Sequence, residues 1–75
     1  MPRFYFDIHD GERHHHDEDG QEFADAQAAR VEAMKLLPDI AGEVLPDGDR
    51  RDFIVDVKDG TGMLVFTATL SLVAR

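Results

Sequence analysis

Three adjacent histidines, His14, His15 and His16, follow an Asp10-Gly11 turn, and Asp7 and His9 stand just before it. Imidazole nitrogens and a carboxylate are the donor set that suits zinc, nickel or copper. Side chains alternate along a strand, so three adjacent histidines cannot all face one ion. The length of the turn after His9 decides which of them meet. With two or four loop residues, Asp7, His9, His14 and His16 share one face while His15 joins Phe4, Phe6 and Ile8. With three or five, His15 and Arg13 face Asp7 and His9 instead. Directly opposed residues lie about 5 Å apart at Cβ, close enough for two of them to grip one ion. The candidate metal ligands are therefore Asp7, His9, His14 and His16, with zinc or nickel as the ion. The plainer reading is a solvated edge strand, because an open hairpin edge offers little to orient the rings.

Other site chemistries lack their parts. Asp17, Asp19 and Glu22 flank Gly20 in the manner of a calcium loop. Placing Gly20 at the sixth loop position puts His15 first and Ala26 twelfth, where an acid is required. Ser71 is the sole serine, no Gly-x-Ser-x-Gly elbow exists, and no glycine-rich phosphate loop precedes a helix. There are no cysteines, which removes disulfides, thiolate metal sites and thiol nucleophiles together. No catalytic residues are assigned, and no enzyme is expected.

The elements that must carry these residues follow from periodicity and punctuation. Four of the six glycines follow an aspartate, at Gly11, Gly20, Gly48 and Gly60, and Asp-Gly supplies positive-φ turns. Before the first, Phe4, Phe6 and Ile8 alternate with Tyr5, Asp7 and His9, the pattern of a strand with one buried face. Arg13 to Asp17 returns as a short polar strand at a sheet edge. Asp25 caps a helix whose face runs through Ala26, Ala29, Ala33, Leu36, Leu37, Ile40, Ala41 and Val44. Pro38 interrupts it, predicting a kink or a second short helix, and Gly48 ends the excursion. A second hairpin closes the chain. Phe53, Val55 and Val57 alternate with Ile54, Asp56 and Lys58, and Asp59-Gly60-Thr61-Gly62 turns into Met63 to Val73. There Leu64, Phe66, Ala68, Leu70 and Leu72 form one face, and Met63, Val65, Thr67, Thr69 and Ser71 the other.

The order hairpin, helix, hairpin predicts a two-layer α+β fold, ββαββ, with a four-stranded, mainly antiparallel sheet and one Pro-kinked or broken helix on one face. Residues 1–75 make one domain, small enough to bury only roughly 60% of the surface its unfolded chain exposes. A net charge of −8 opposes attraction to phosphate backbones, so nucleic acid is not an expected partner. No apolar run approaches the ~20 residues that span a bilayer, and Met1-Pro2-Arg3-Phe4 lacks the pattern of a signal peptide. A cytoplasmic protein without a membrane partner is expected. Met63 and Val65 on the second face of the last strand call for a cover, which predicts a homodimer.

The opening Met1-Pro2-Arg3-Phe4-Tyr5-Phe6, the Asp10-Gly11 turn, the Asp17-Glu18-Asp19-Gly20 segment and the helix start Ala28-Ala29-Arg30-Val31-Glu32-Ala33 resemble a family of short bacterial proteins classed as a domain of unknown function. The resemblance spans nearly the whole chain. It implies a compact bacterial domain and transfers no ligand or catalytic residue. In element order the chain is also similar to the partner-binding domains of bacterial antitoxins, which place a hairpin before an acidic, alanine-rich helix. The leading expectation is a non-enzymatic binding or interaction module, homodimeric and open to a protein partner. The alternatives are a transition-metal binder using the histidine hairpin and an antitoxin-like partner binder.

Overall fold

The computed structural model describes residues 1–11, 13–42 and 50–73. The expected places of Val44 and Gly48 lie outside these residues. The described elements are β1 (Arg3–His9), β2 (His14–His15), β3 (Gln21–Glu22), α1 (Ala26–Gly42), β4 (Arg50–Lys58) and β5 (Leu64–Val73). All strand pairings are antiparallel, in the order β2-β1-β4-β5, and β3 also pairs with β1. The architecture is thus α+β, a sheet with one helix packed against it.

The helix begins where the Asp25 carboxylate accepts the Ala28 N–H at 2.9 Å, satisfying one of the donors that a helix start leaves free. Ala29, Ala33 and Leu37 are buried at three- and four-residue spacing, and the two alanines let the helix backbone approach the sheet. They meet Phe53, Val55 and Val57 of β4, each 1% exposed or less, together with Phe4, Phe6 and Ala68. Full burial of a side chain such as those on β4 stabilises by about 1.5–3 kcal/mol. Phe23, which the strand and helix patterns pass over, sets its ring against Phe4 and Phe6 at 6.1 and 5.7 Å.

Of the two alternatives for the helix, the single element holds, from Ala26 to Gly42 with Pro38 inside it. Pro38 and Met34 are both exposed, on the wet side where water can take the carbonyl that loses its N–H partner. The second strand is only His14–His15, and the chain returns to the edge of β1 as Gln21–Glu22 after an excursion. Within that gap the Asp17 side chain accepts the Phe6 N–H at 3.1 Å, taking the place of a ladder carbonyl.

The sheet also departs from expectation in β5. A register shift between Val57 and Lys58 pairs Val57 with Phe66 and Lys58 with Leu64, leaving Val65 as the extra residue. Val65 then lines a groove with Ala26, Arg30 and Phe66 on the helix side, not the opposite face. The opposite face holds Thr67, Thr69 and Ser71, all exposed, with Leu64, the partner of Lys58, and Val73 at its two ends. In the β4–β5 turn the positive φ falls on Gly62 (86°) rather than Gly60. There Asp59 accepts from the Thr61 hydroxyl and from the Thr61 and Met63 N–H groups, and these bonds hold its carboxyl below the usual range.

Candidate functional site

The face of the sheet turned away from the helix collects the polar residues, because β1 and β4 both alternate with period two. The turn after His9 has the four-residue length, since His9 pairs with His14 and Ile8 with His15. Asp10 closes it. Its carboxylate accepts the Arg13 N–H at 2.6 Å, its own N–H donates to the Arg13 carbonyl at 3.0 Å, and Gly11 takes a φ of 93°. From β4, Arg51 donates to the Asp10 carbonyl at 2.9 Å and ties the turn to the sheet. Asp7, His9 and His14 consequently share one face, and the His16 ring reaches the Asp7 carboxylate.

The four residues meet in pairs rather than at a point. The His9 and His14 rings stack with centroids 4.1 Å apart and planes 8° from parallel. A metal is bound in the plane of an imidazole, so two stacked rings direct their nitrogens along parallel lines. His9 Nε2 lies 3.5 Å from Asp56 Oδ2. One turn of side chains away, His16 Nδ1 is 3.0 Å from Asp7 Oδ1 and Lys58 Nζ is 3.0 Å from Asp7 Oδ2. The Asp17 N–H donates to Asp7 Oδ1 at 3.1 Å. Among the described residues no group of three or more His, Cys, Asp or Glu is arranged to hold a metal ion.

Asp7 is the centre of this arrangement, with a side chain only 4% exposed. Burial pushes its carboxyl up, but Lys58, the Asp17 N–H and His16 together outweigh that and leave it below the usual carboxylate range. Asp17 behaves similarly. Burial raises it, the Gly20, Phe6 and Asp19 N–H groups lower it, and the balance is downward despite the neighbouring Asp7 charge. Gly20 makes that loop possible with a φ of 70°, and a Cβ there would sit 2.8 Å from the Tyr5 ring and 3.0 Å from the Phe4 carbonyl. Tyr5, His16, Glu18 and Lys58 border an open cleft of about 370 Å³ at this end of the sheet.

Lys58, Asp56 and Asp17 are the members of this cluster that sequence reasoning missed. Asp7 and Asp56 are directly opposed across β1 and β4. Their like charges are drawn apart because Asp7 turns to Lys58 and His16, whereas Asp56 takes the Thr67 hydroxyl at 2.9 Å and lies near His9. Only the pairing of β1 with β4 reveals this, and that pairing bridges the whole helix.

A second feature is the outer margin of β5. Its ten residues, Leu64–Val73, contain no charged side chain, in a chain with 24 charged residues, 8 basic and 16 acidic. Among the described residues it pairs only with β4, so its other edge carries free backbone N–H and C=O groups. Leu64, Val65 and Val73 are exposed along it.

Residues 3–71 match the model of a family described as Domain of unknown function (DUF6894). The chain belongs to that family. The match runs from the first residue of β1 to within two residues of the end of β5, so the DUF6894 domain takes in both the Asp7 cluster and nearly all of the β5 margin. Neither the curated proteins nor the solved structures compared with it gave a match. No helix of the described residues is long and apolar enough to cross a membrane.

Proposed function

We propose that this DUF6894 domain is a small non-enzymatic interaction module that works as a homodimer, with the β5 margin as its acting surface. The single observation that carries the reading is a ten-residue edge strand without one charge. Natural sheets protect free edges with charge, proline, bulges or a covering element, because an unprotected edge is a template for another strand, and past the bulge at Val65 this edge has none of these among the described residues. The opposite margin of this sheet follows that rule with two-residue strands rich in polar groups. A cytoplasmic setting belongs to the same reading, and fractionation of the native host tests it. Analytical sedimentation is expected to give a dimer for the wild-type chain and a monomer for Thr69→Lys, which charges the margin without touching the core. A wild-type chain that sediments as a monomer throughout removes the reading.

The second reading is transition-metal binding by Asp7, His9, His14 and His16. The shared face of Asp7, His9 and His14 favours it, as does the His16 ring held by a buried carboxylate, the support that metal-bound histidines usually have. Against it, both Asp7 oxygens are already engaged. Micromolar zinc or nickel binding in calorimetry, lost in His14→Ala with His16→Ala, would establish it. No heat with either ion removes it.

A further inference from the structure

We infer that the occupant of the β5 margin is the β5 strand of a second copy, paired antiparallel about a twofold axis at Thr69, so that one sheet runs through both chains. This rests on the homodimer reading and specifies how the two copies join. Helix α1 packs chiefly on β4 and β5. Its axis therefore lies about one strand spacing, ~5 Å, inside the margin. Joining two copies edge to edge with both helices on the same face would set the helices about 10 Å apart, the distance at which helices pack on one another. The helix flank that would meet its copy is the one carrying Arg30, which lies 5.0 Å above the Phe66 ring, and Met34 one turn further on. Met34 is 55% exposed, a large apolar side chain that this contact would cover.

The sequence of β5 suits that register. Opposed residues in an antiparallel pair point to the same face, so keeping both helices on one face requires the paired numbers to have an even sum. A twofold at Thr69 opposes Phe66 to Leu72 and Ala68 to Leu70 on the helix side. On the other side it opposes Thr67 to Ser71 and Thr69 to itself. Apolar meets apolar and hydroxyl meets hydroxyl, the pairs that stabilise sheets. Residues 66–72 would form about six to eight main-chain hydrogen bonds, within the range of a typical protein interface. The excess of acidic groups lies elsewhere in the chain, so the join brings no like charges face to face. A foreign strand would need the same absence of charge, and this chain supplies it in itself.

The chain has no cysteine, so single cysteines report the join directly. Thr67, Thr69 and Ser71 are exposed and share a face outside the core, so a cysteine at each stands clear of the buried residues. In the inferred register residue 69 faces its own copy at about 5 Å between Cα atoms, within disulfide reach, whereas 67 and its copy are about 14 Å apart. Mild oxidation should link Thr69→Cys roughly tenfold more completely than Thr67→Cys or Ser71→Cys alone, a contrast set by those distances. Mixing Thr67→Cys with Ser71→Cys should restore linking. Hydrogen exchange of wild-type β5 amides should slow as concentration rises through the dimerisation range. A dimer in which Thr69→Cys links no better than the other two, or in which β5 amides exchange equally at all concentrations, overturns the edge pairing and leaves the homodimer reading standing. A monomeric wild-type chain overturns both.

Discussion

Asp7 has almost no access to water and yet keeps its charge, because an ammonium, an imidazole and a backbone N–H share its two oxygens. Its carboxyl titrates below the usual carboxylate range, so the stabilisation it gives is complete above the unfolded pKa and fades as pH falls through the folded one. Asp17 adds to the same acid limb with the same sign. Replacing Asp7 with Asn removes the negative charge and turns one of the two acceptor oxygens that Lys58 and His16 share into a donor. It is expected to cost about 1–3 kcal/mol near neutral pH and to flatten the loss of stability below pH ~4, read by urea melts across pH. Gly20 gives a second check. Gly20→Ala combines positive φ with a clash against the Phe4 carbonyl and should cost about 1–3 kcal/mol. Gly11→Ala, equally left-handed but facing open space, should cost less in the same thermal melts.

Among the elements, the helix carries a defect that can be removed. Pro38 costs an interior N–H and crowds the preceding turn, and its surface position means that no packing depends on its ring. Pro38→Ala is expected to raise stability by about 1–3 kcal/mol, visible as a higher melting midpoint with unchanged α-helical fold. The hairpin of β4 and β5 was legible because Phe53, Val55 and Val57 alternate cleanly, as was the helix because Asp25 and the alanine face announce its start. The interrupted edge strand was not, since Asp17 fills a ladder position with a side chain, a substitution that leaves no periodic signal. Nor was the bulge at Val65. One extra residue shifts face assignments without altering composition, and it moved Val65 to the helix side and Leu64 to the far face.

For the molecule as a whole, the balance of −8 sets how copies approach each other. Two equally charged chains repel at long range, and dissolved salt screens that repulsion while leaving backbone pairing untouched. Self-association through β5 should therefore tighten several-fold between about 0.01 M and about 1 M salt, as sedimentation or fluorescence dilution would report. An interface built from ion pairs would weaken over the same range.

The sequence alone determined the hairpin, helix, hairpin order apart from β3, the two-layer α+β architecture and the residues of the core, because burial is written as local periodicity that any three or four neighbouring positions reveal. It also named the histidine hairpin and narrowed its meaning to the parity of one turn. Only the tertiary structure decided that parity, since the turn length is fixed by Asp10 and by Arg51 reaching over from β4. It alone brought Lys58 to Asp7, Asp56 to His9, and β5 to the margin of the sheet. Those relations join residues far apart in the chain, and their signal is spatial pairing, which no local pattern contains.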